Sequence, residues 1–234
     1  VLVQIENLGA STTPDFANVG PATSFVSASW TPPPSGLLAA WVTAAREAGD
    51  GASAPSSVVG NSLAWSVAGP PIQLAADAPA ASLVVADAAG STTGTTTFNF
   101  PVSMNRFMVV FARATRADLS AGAVAAIVRR PFAFGFGTSS DLVIPAPYSP
   151  HNGQIACLYR DVLDPASVPG DWELMDDLTT TAPDQGFSSM RPTVDAYQSS
   201  VQVEWFTNEA DWIALAAEIK AEPAGTRIQY PAVY

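Results

Sequence analysis

The stretch YSPHNG, residues 148 to 153, holds the chain's one histidine, His151, beside Tyr148 and Asn152. A hydrolytic triad needs such a base next to a nucleophile. No G-x-S-x-G elbow is present for His151 to serve, and the one cysteine, Cys157, lies in the apolar run QIACLY, where it reads as a small buried side chain. His151 is therefore expected in a surface loop. One Cys and one His cannot supply a zinc cluster. The densest acidic stretch, DWELMDD with Asp171, Glu173, Asp176 and Asp177, lacks the D-x-[DN]-x-[DN]-G calcium pattern. A glycosidase needs two carboxylates facing one sugar, and no pair stands out among 21 acidic residues. GFGTSS has neither the lysine nor the strand–helix context of a phosphate loop. The expectation is a protein without catalytic residues, metal or cofactor.

Aromatic residues suggest binding instead. A sugar-binding face is an exposed ring surrounded by amides and carboxylates. Trp172 in the polar segment PGDWELMDD, and Tyr148 beside His151 and Asn152, are the rings least needed by a core. Trp30, Trp41, Trp65 and Trp205 stand on alternating apolar faces and are expected to pack inside.

Strand-like alternation must position these groups. Apolar residues make up 48% of the 234 positions and charged ones 13%, yet the apolar residues come in short bursts separated by Gly, Pro, Ser, Thr and Asp. That spacing predicts many short strands. SFVSASW aligns Val26, Ala28 and Trp30; SLAWSV aligns Leu63, Trp65 and Val67; TTTFNF aligns Phe98 and Phe100; RFMVVFAR aligns Phe107, Val109 and Phe111. GAVAAIVRR, QIACLYRDV and SVQVEWF follow, the last with Val201, Val203 and Trp205 on one side. LLAAWVTAAR is apolar on both faces, as in a strand covered twice. Pro32, Pro33 and Pro34 lack N–H donors and end a ladder, and Gly36 lets the chain re-enter. Two packed antiparallel sheets would bury so many strands, with long loops over 48–60 and 76–97 and little helix. The net charge of −11 disfavours nucleic acid and anionic membrane surfaces as partners.

Two regions resist this reading. Residues 208–222, NEADWIALAAEIKAE, combine helix formers and a possible Asn208 cap with the alternation Ile213, Leu215, Ala217, Ile219; strand is preferred. Residues 131–154 are irregular, with Phe132, Phe134 and Phe136 reading as a short strand before the YSPHNG loop. No internal repeat is visible, and a single domain over 23–223 is expected, with an N-terminal docking arm at 1–22 and a tail at 224–234.

Trp30 to Ala40 (WTPPPSGLLAA), Gly60 to Trp65 (GNSLAW) and Trp212 to Pro223 (WIALAAEIKAEP), together with RFMVVFARA, resemble a group of bacteriophage virion-surface β-sandwich domains of jelly-roll type. The resemblance covers about half of the chain in patches, and residues 114–170 have no counterpart. It implies a single jelly-roll-like sandwich and a non-enzymatic virion component: capsid decoration, head fibre or spike, or tail-fibre module. Its partners would be other virion proteins and copies of itself. A carbohydrate-binding or host-adhesion module is the alternative, with Trp172, Tyr148, His151 and Asn152 as the sugar site.

Overall fold

The computed structural model describes residues 3–11, 22–45, 53–73, 80–104, 106–181, 184–193, 200–204 and 208–223. The first half of the chain supplies β1 (Gln4–Ser11), β2 (Ala22–Val26), β3 (Leu37–Ala45), β4 (Ser57–Gly60) and β5 (Ser66–Val67). It continues with β6 (Ile72–Gln73), β7 (Ala80–Asp87), β8 (Thr96–Met104) and β9 (Arg106–Thr115). The second half supplies β10 (Ile127–Arg129), β11 (Phe132–Gly137), β12 (Ser139–Val143) and β13 (Gly153–Arg160). Then come β14 (Trp172–Thr181), β15 (Asp184–Pro192), β16 (Ser200–Glu204) and β17 (Ala210–Ile219). All described pairings are antiparallel, and no described helix is long and apolar enough to cross a membrane.

The expected pair of sheets becomes four. One sheet has the order β1-β9-β3-β7-β5, with β6 also on β7, and it faces the three strands β2-β8-β4. The later strands give β10-β17-β13-β15-β14, with β11 also on β17, and the pair β12-β16. The two halves share one strand order. In each large sheet the half's first and last strands are neighbours, β1 with β9 and β10 with β17; β3 then β7 follow in one and β13 then β15 in the other, while the small sheets pair β2 with β8 and β12 with β16. Even the short partner strand β4 has a counterpart, since Ser167 and Glu204 exchange backbone hydrogen bonds beside β16.

Burial explains the doubling. A single sandwich covers one face of each strand, whereas every residue of β3 and β13 is buried, as are all but one in β7 and β17. One face of β9 meets the small sheet: Phe107 stacks on Phe25 with ring centroids 5.0 Å apart, and Phe111 lies 4.5 Å from Trp30. On β13, Ile155, Cys157 and Tyr159 join the same large core as β3 and β9. Ala156 and Leu158, on the other face, join a second core with Leu142 and Val203 of the β12–β16 pair. The two large sheets therefore pack on each other and each also carries its small sheet, a four-layer stack. Burial of each large core side chain contributes about 1.5–3 kcal/mol.

Residues 208–222 do form a strand over Ala210–Ile219, as preferred. The proline corner also stands: Gly36 has φ +102°, and a Cβ there would sit 2.8 Å from the Ala114 carbonyl oxygen, so only glycine fits. Other expectations are corrected. In β2 the buried residue is Phe25, while Val26 is exposed, because the Phe25 ring reaches both Phe100 and Phe107. The expected loop 76–97 contains β7, a central buried strand. GAVAAIVRR opens with a 3-10 turn at Val124–Ala126 before β10. Gln4–Ser11, within the segment 1–22, forms β1 and pairs with β9. Trp205, residues 12–21 and the tail 224–234 lie outside the described residues.

A buried polar clasp pins the second half. Arg160 is fully buried; its Nη2 donates to Asp177 Oδ1 at 2.7 Å, Nη1 to Ser188 Oγ at 2.5 Å, and Nε to the Asp164 carbonyl at 2.8 Å. Asp177 Oδ2 also accepts from the Ala166 N–H at 3.0 Å. Each polar atom named here is matched, which a buried cation requires.

Candidate functional site

The segment that follows β17 and the loop 148–152 flank an open cavity of about 420 Å³, lined by Val128, Tyr148, Ser149, His151, Asn152 and the segment Lys220–Pro223. Its size is that of a small-ligand site. The loop takes its shape from turn chemistry: Pro150 fixes one φ, the Asn152 N–H donates to the Ser149 carbonyl at 3.1 Å, and the His151 N–H reaches Ser149 Oγ at 3.3 Å. The Val3 N–H donates to the His151 carbonyl at 3.0 Å, tying the loop to the first strand's lead-in.

Glu218 anchors the site from beneath. It is 2% exposed, and its Oε1 accepts from the Tyr148 N–H at 2.8 Å and from Asn152 Nδ2 at 2.6 Å. Its Oε2 lies 3.4 Å from Arg129 Nε. The Arg129 guanidinium sits 3.6 Å from the centroid of the Tyr148 ring, a cation–π contact, and also donates to the Ala146 carbonyl. Arg129 thereby covers part of a ring that is still 72% exposed. Asn152 is committed at both ends, since its Oδ1 accepts from the Ala221 N–H at 3.0 Å. It holds the loop against β17 and leaves the ligand to its neighbours.

Lys220 brings a charge to the wall. Its Nζ lies 2.6 Å from Asp118 Oδ2. That contact, with the Ser120 hydroxyl and N–H, lowers the Asp118 pKa from 3.8 to about 2. Glu222 lines this cavity and also a second one of about 370 Å³, formed with Ser35, Gly36, Asp87, Arg113 and Arg116.

Three of the four sequence candidates, Tyr148, His151 and Asn152, thus meet in one place. Trp172 does not. It is 2% exposed in the second core, at the start of β14, so the expectation of an open ring there is corrected. The acidic DWELMDD stretch that made it look like a surface loop is a strand, with Leu174 turned into the same core as Trp172 and Glu173 paired to Arg191. Sequence reading missed Arg129, Glu218 and Lys220. Only Glu218 carried a signal, a charge that closes the apolar run Trp212–Ala217.

The arrangement offers an open aromatic face, a phenol, an imidazole, a hydroxyl, an ammonium and a carboxylate around one hollow. These can stack against and hydrogen-bond a polyhydroxylated ligand. Cys157 is remote from this chemistry, since burial, and secondly the Asp176 charge, push its thiol well above its usual pKa. Among the described residues no group of three or more His, Cys, Asp or Glu is placed to hold a metal. No known protein family, curated protein or solved structure matches this chain.

Proposed function

We propose that this chain is a non-enzymatic structural protein on the surface of a bacteriophage particle, a capsid decoration or a head- or tail-fibre component. In this reading each half is a jelly roll. The observation that carries it is the strand order repeated in the two halves, with first and last strands adjacent in the large sheet and an early strand paired with the penultimate one in the small sheet, β2 with β8 and β12 with β16. That architecture is common in viral shell proteins and in lectins, and the step from fold to role is one of analogy. The resemblance of the Trp30–Ala40, Gly60–Trp65 and Trp212–Pro223 stretches to phage sandwich domains points the same way. So does a disulfide-free, acidic composition with a net charge of −11, which favours a soluble exposed shell. Assembly would take place in the host cytoplasm, against other virion proteins and further copies of this chain. The test is detection of the chain in purified particles at a fixed copy number.

A second reading is supported by one observation, the cavity that gathers Tyr148, His151 and Asn152. It makes the chain a carbohydrate-binding or host-adhesion module, and a virion spike could serve both roles. Binding of host-surface glycans, abolished by Tyr148→Ala, is its test.

A further inference from the structure

β11 presents Phe132, Phe134 and Phe136 on one face, and they are 52%, 48% and 66% exposed. The rings of Phe132 and Phe134 lie 6.4 Å apart and within 11° of parallel. Their cross-strand partners Leu215 and Ile213 are buried on the same face of the sheet, so the aromatic row continues a core surface past its covered zone. β17 occupies one side of β11, and among the described residues no strand pairs with the other side. Such an edge offers unpaired N–H and C=O groups to any incoming strand. Proteins commonly guard these edges with charge, yet PFAFGFGTSS, residues 131–140, carries no charged side chain in a protein of net charge −11.

We propose that β11 docks on β11 of a second copy of this chain, antiparallel about a two-fold axis through Phe134, so that the sheet runs on from one copy into the next. The aromatic positions of F-A-F-G-F are symmetric about Phe134. Pairing centred there sets Phe132 opposite the partner's Phe136, as an isologous contact requires. Facing aromatic pairs stabilise antiparallel strands, and the absence of charge over 131–140 removes local like-charge repulsion. An oppositely charged partner would find nothing to pair with on this strand.

Magnitudes set the strength. Three half-exposed rings bring roughly 300 Å² per copy, against the roughly 800 Å² per partner of a standard interface. The contact is therefore weak for free chains and strengthens where many copies are held side by side. Repulsion between two acidic copies opposes it, so added salt favours it. None of this depends on the particle assignment.

The test is sedimentation of the full chain from nanomolar to high micromolar concentration. A dimer that grows with concentration and with salt is expected, and Phe134→Glu should weaken it at least ~tenfold while the circular dichroism spectrum is unchanged. Phe134→Cys provides a second test that keeps the edge uncharged. Directly opposed residues lie within disulfide reach, so mild oxidation should give a covalent dimer, and the native Cys157 is buried. A monomer throughout, or a dimer indifferent to Phe134→Glu and without a Phe134→Cys cross-link, overturns the proposal. So does a monomeric chain whose β11 amides become protected only when a glycan is added, which would give this face to sugar.

Discussion

Asn152 and Glu218 are 66 positions apart, and the Asn152 amide donates to the Glu218 carboxylate at 2.6 Å beneath the candidate cavity. This bond joins the one irregular loop of the site to a strand that is buried along nearly all its length. The loop's shape is thus set by the core rather than by the loop.

Glu218→Ala should cost about 2–3 kcal/mol, because it strands the Tyr148 N–H and the Asn152 amide and leaves Arg129 without its carboxylate. Urea unfolding measures the loss. Glu218→Gln, which keeps one acceptor oxygen, should lose less. Equal stability of Glu218→Ala and the parent chain would mean that the loop is held by other contacts.

Acid sensitivity follows from Asp118. Its folded pKa of about 2 is below the ordinary 3.8, so its ionised form stabilises the fold at pH values above 3.8. That contribution is lost as pH falls from 3.8 through about 2. Asp118→Asn should flatten the decline of the urea midpoint over this window and leave the slope above it unchanged. Identical acid limbs in both proteins would remove the Lys220–Asp118 contact from the account.

Gly186 lies against the Arg160 guanidinium, and a Cβ there would overlap the guanidinium atoms, which three polar partners hold in place. Gly186→Ala should therefore destabilise by about 1–3 kcal/mol. Arg160→Met should cost about 3 kcal/mol, since it leaves the Asp177 carboxylate without its cation, held by Ser188 and the Ala166 N–H. The double variant should fall well short of the sum, because both changes act through one contact. Strict additivity in denaturant titrations would refute that coupling.

How much of this was legible beforehand varied with the physics involved. β3 could be read because its apolar residues fall on both faces, which only a doubly covered strand tolerates, and β13 from its alternation, whereas the residues of β17 fitted helix and strand alike until β13 paired with them. β7 was hidden because alanines at Ala80, Ala81 and Ala86 resemble a loop composition. In β2 two apolar registers competed, and the contacts of one aromatic ring decided between them. Alternation placed Phe132, Phe134 and Phe136 on one face correctly, but whether a face is covered depends on where the neighbouring sheet stops. The repeat between halves lies in strand order, so residue comparison could not find it. The loop residues of the site were legible from turn chemistry, whereas Arg129, Glu218 and Lys220 reach it only through long-range pairing.

Two aromatic substitutions separate binding from folding. Tyr148→Ala removes an exposed ring and should leave the urea midpoint nearly unchanged while abolishing glycan binding in the adhesion reading. Trp172→Ala should instead cost about 3–5 kcal/mol, as expected for a ring in the second core. Glycan binding retained in Tyr148→Ala would remove this cavity as the sugar site.

The most direct measurement is mass spectrometry of sedimented, nuclease-treated phage particles, with gold-labelled antibody against this chain. The account predicts regular labelling of heads or tails at a fixed copy number per particle. Absence of the chain from clean particles would contradict it, and would leave a free carbohydrate-binding module as the reading to pursue.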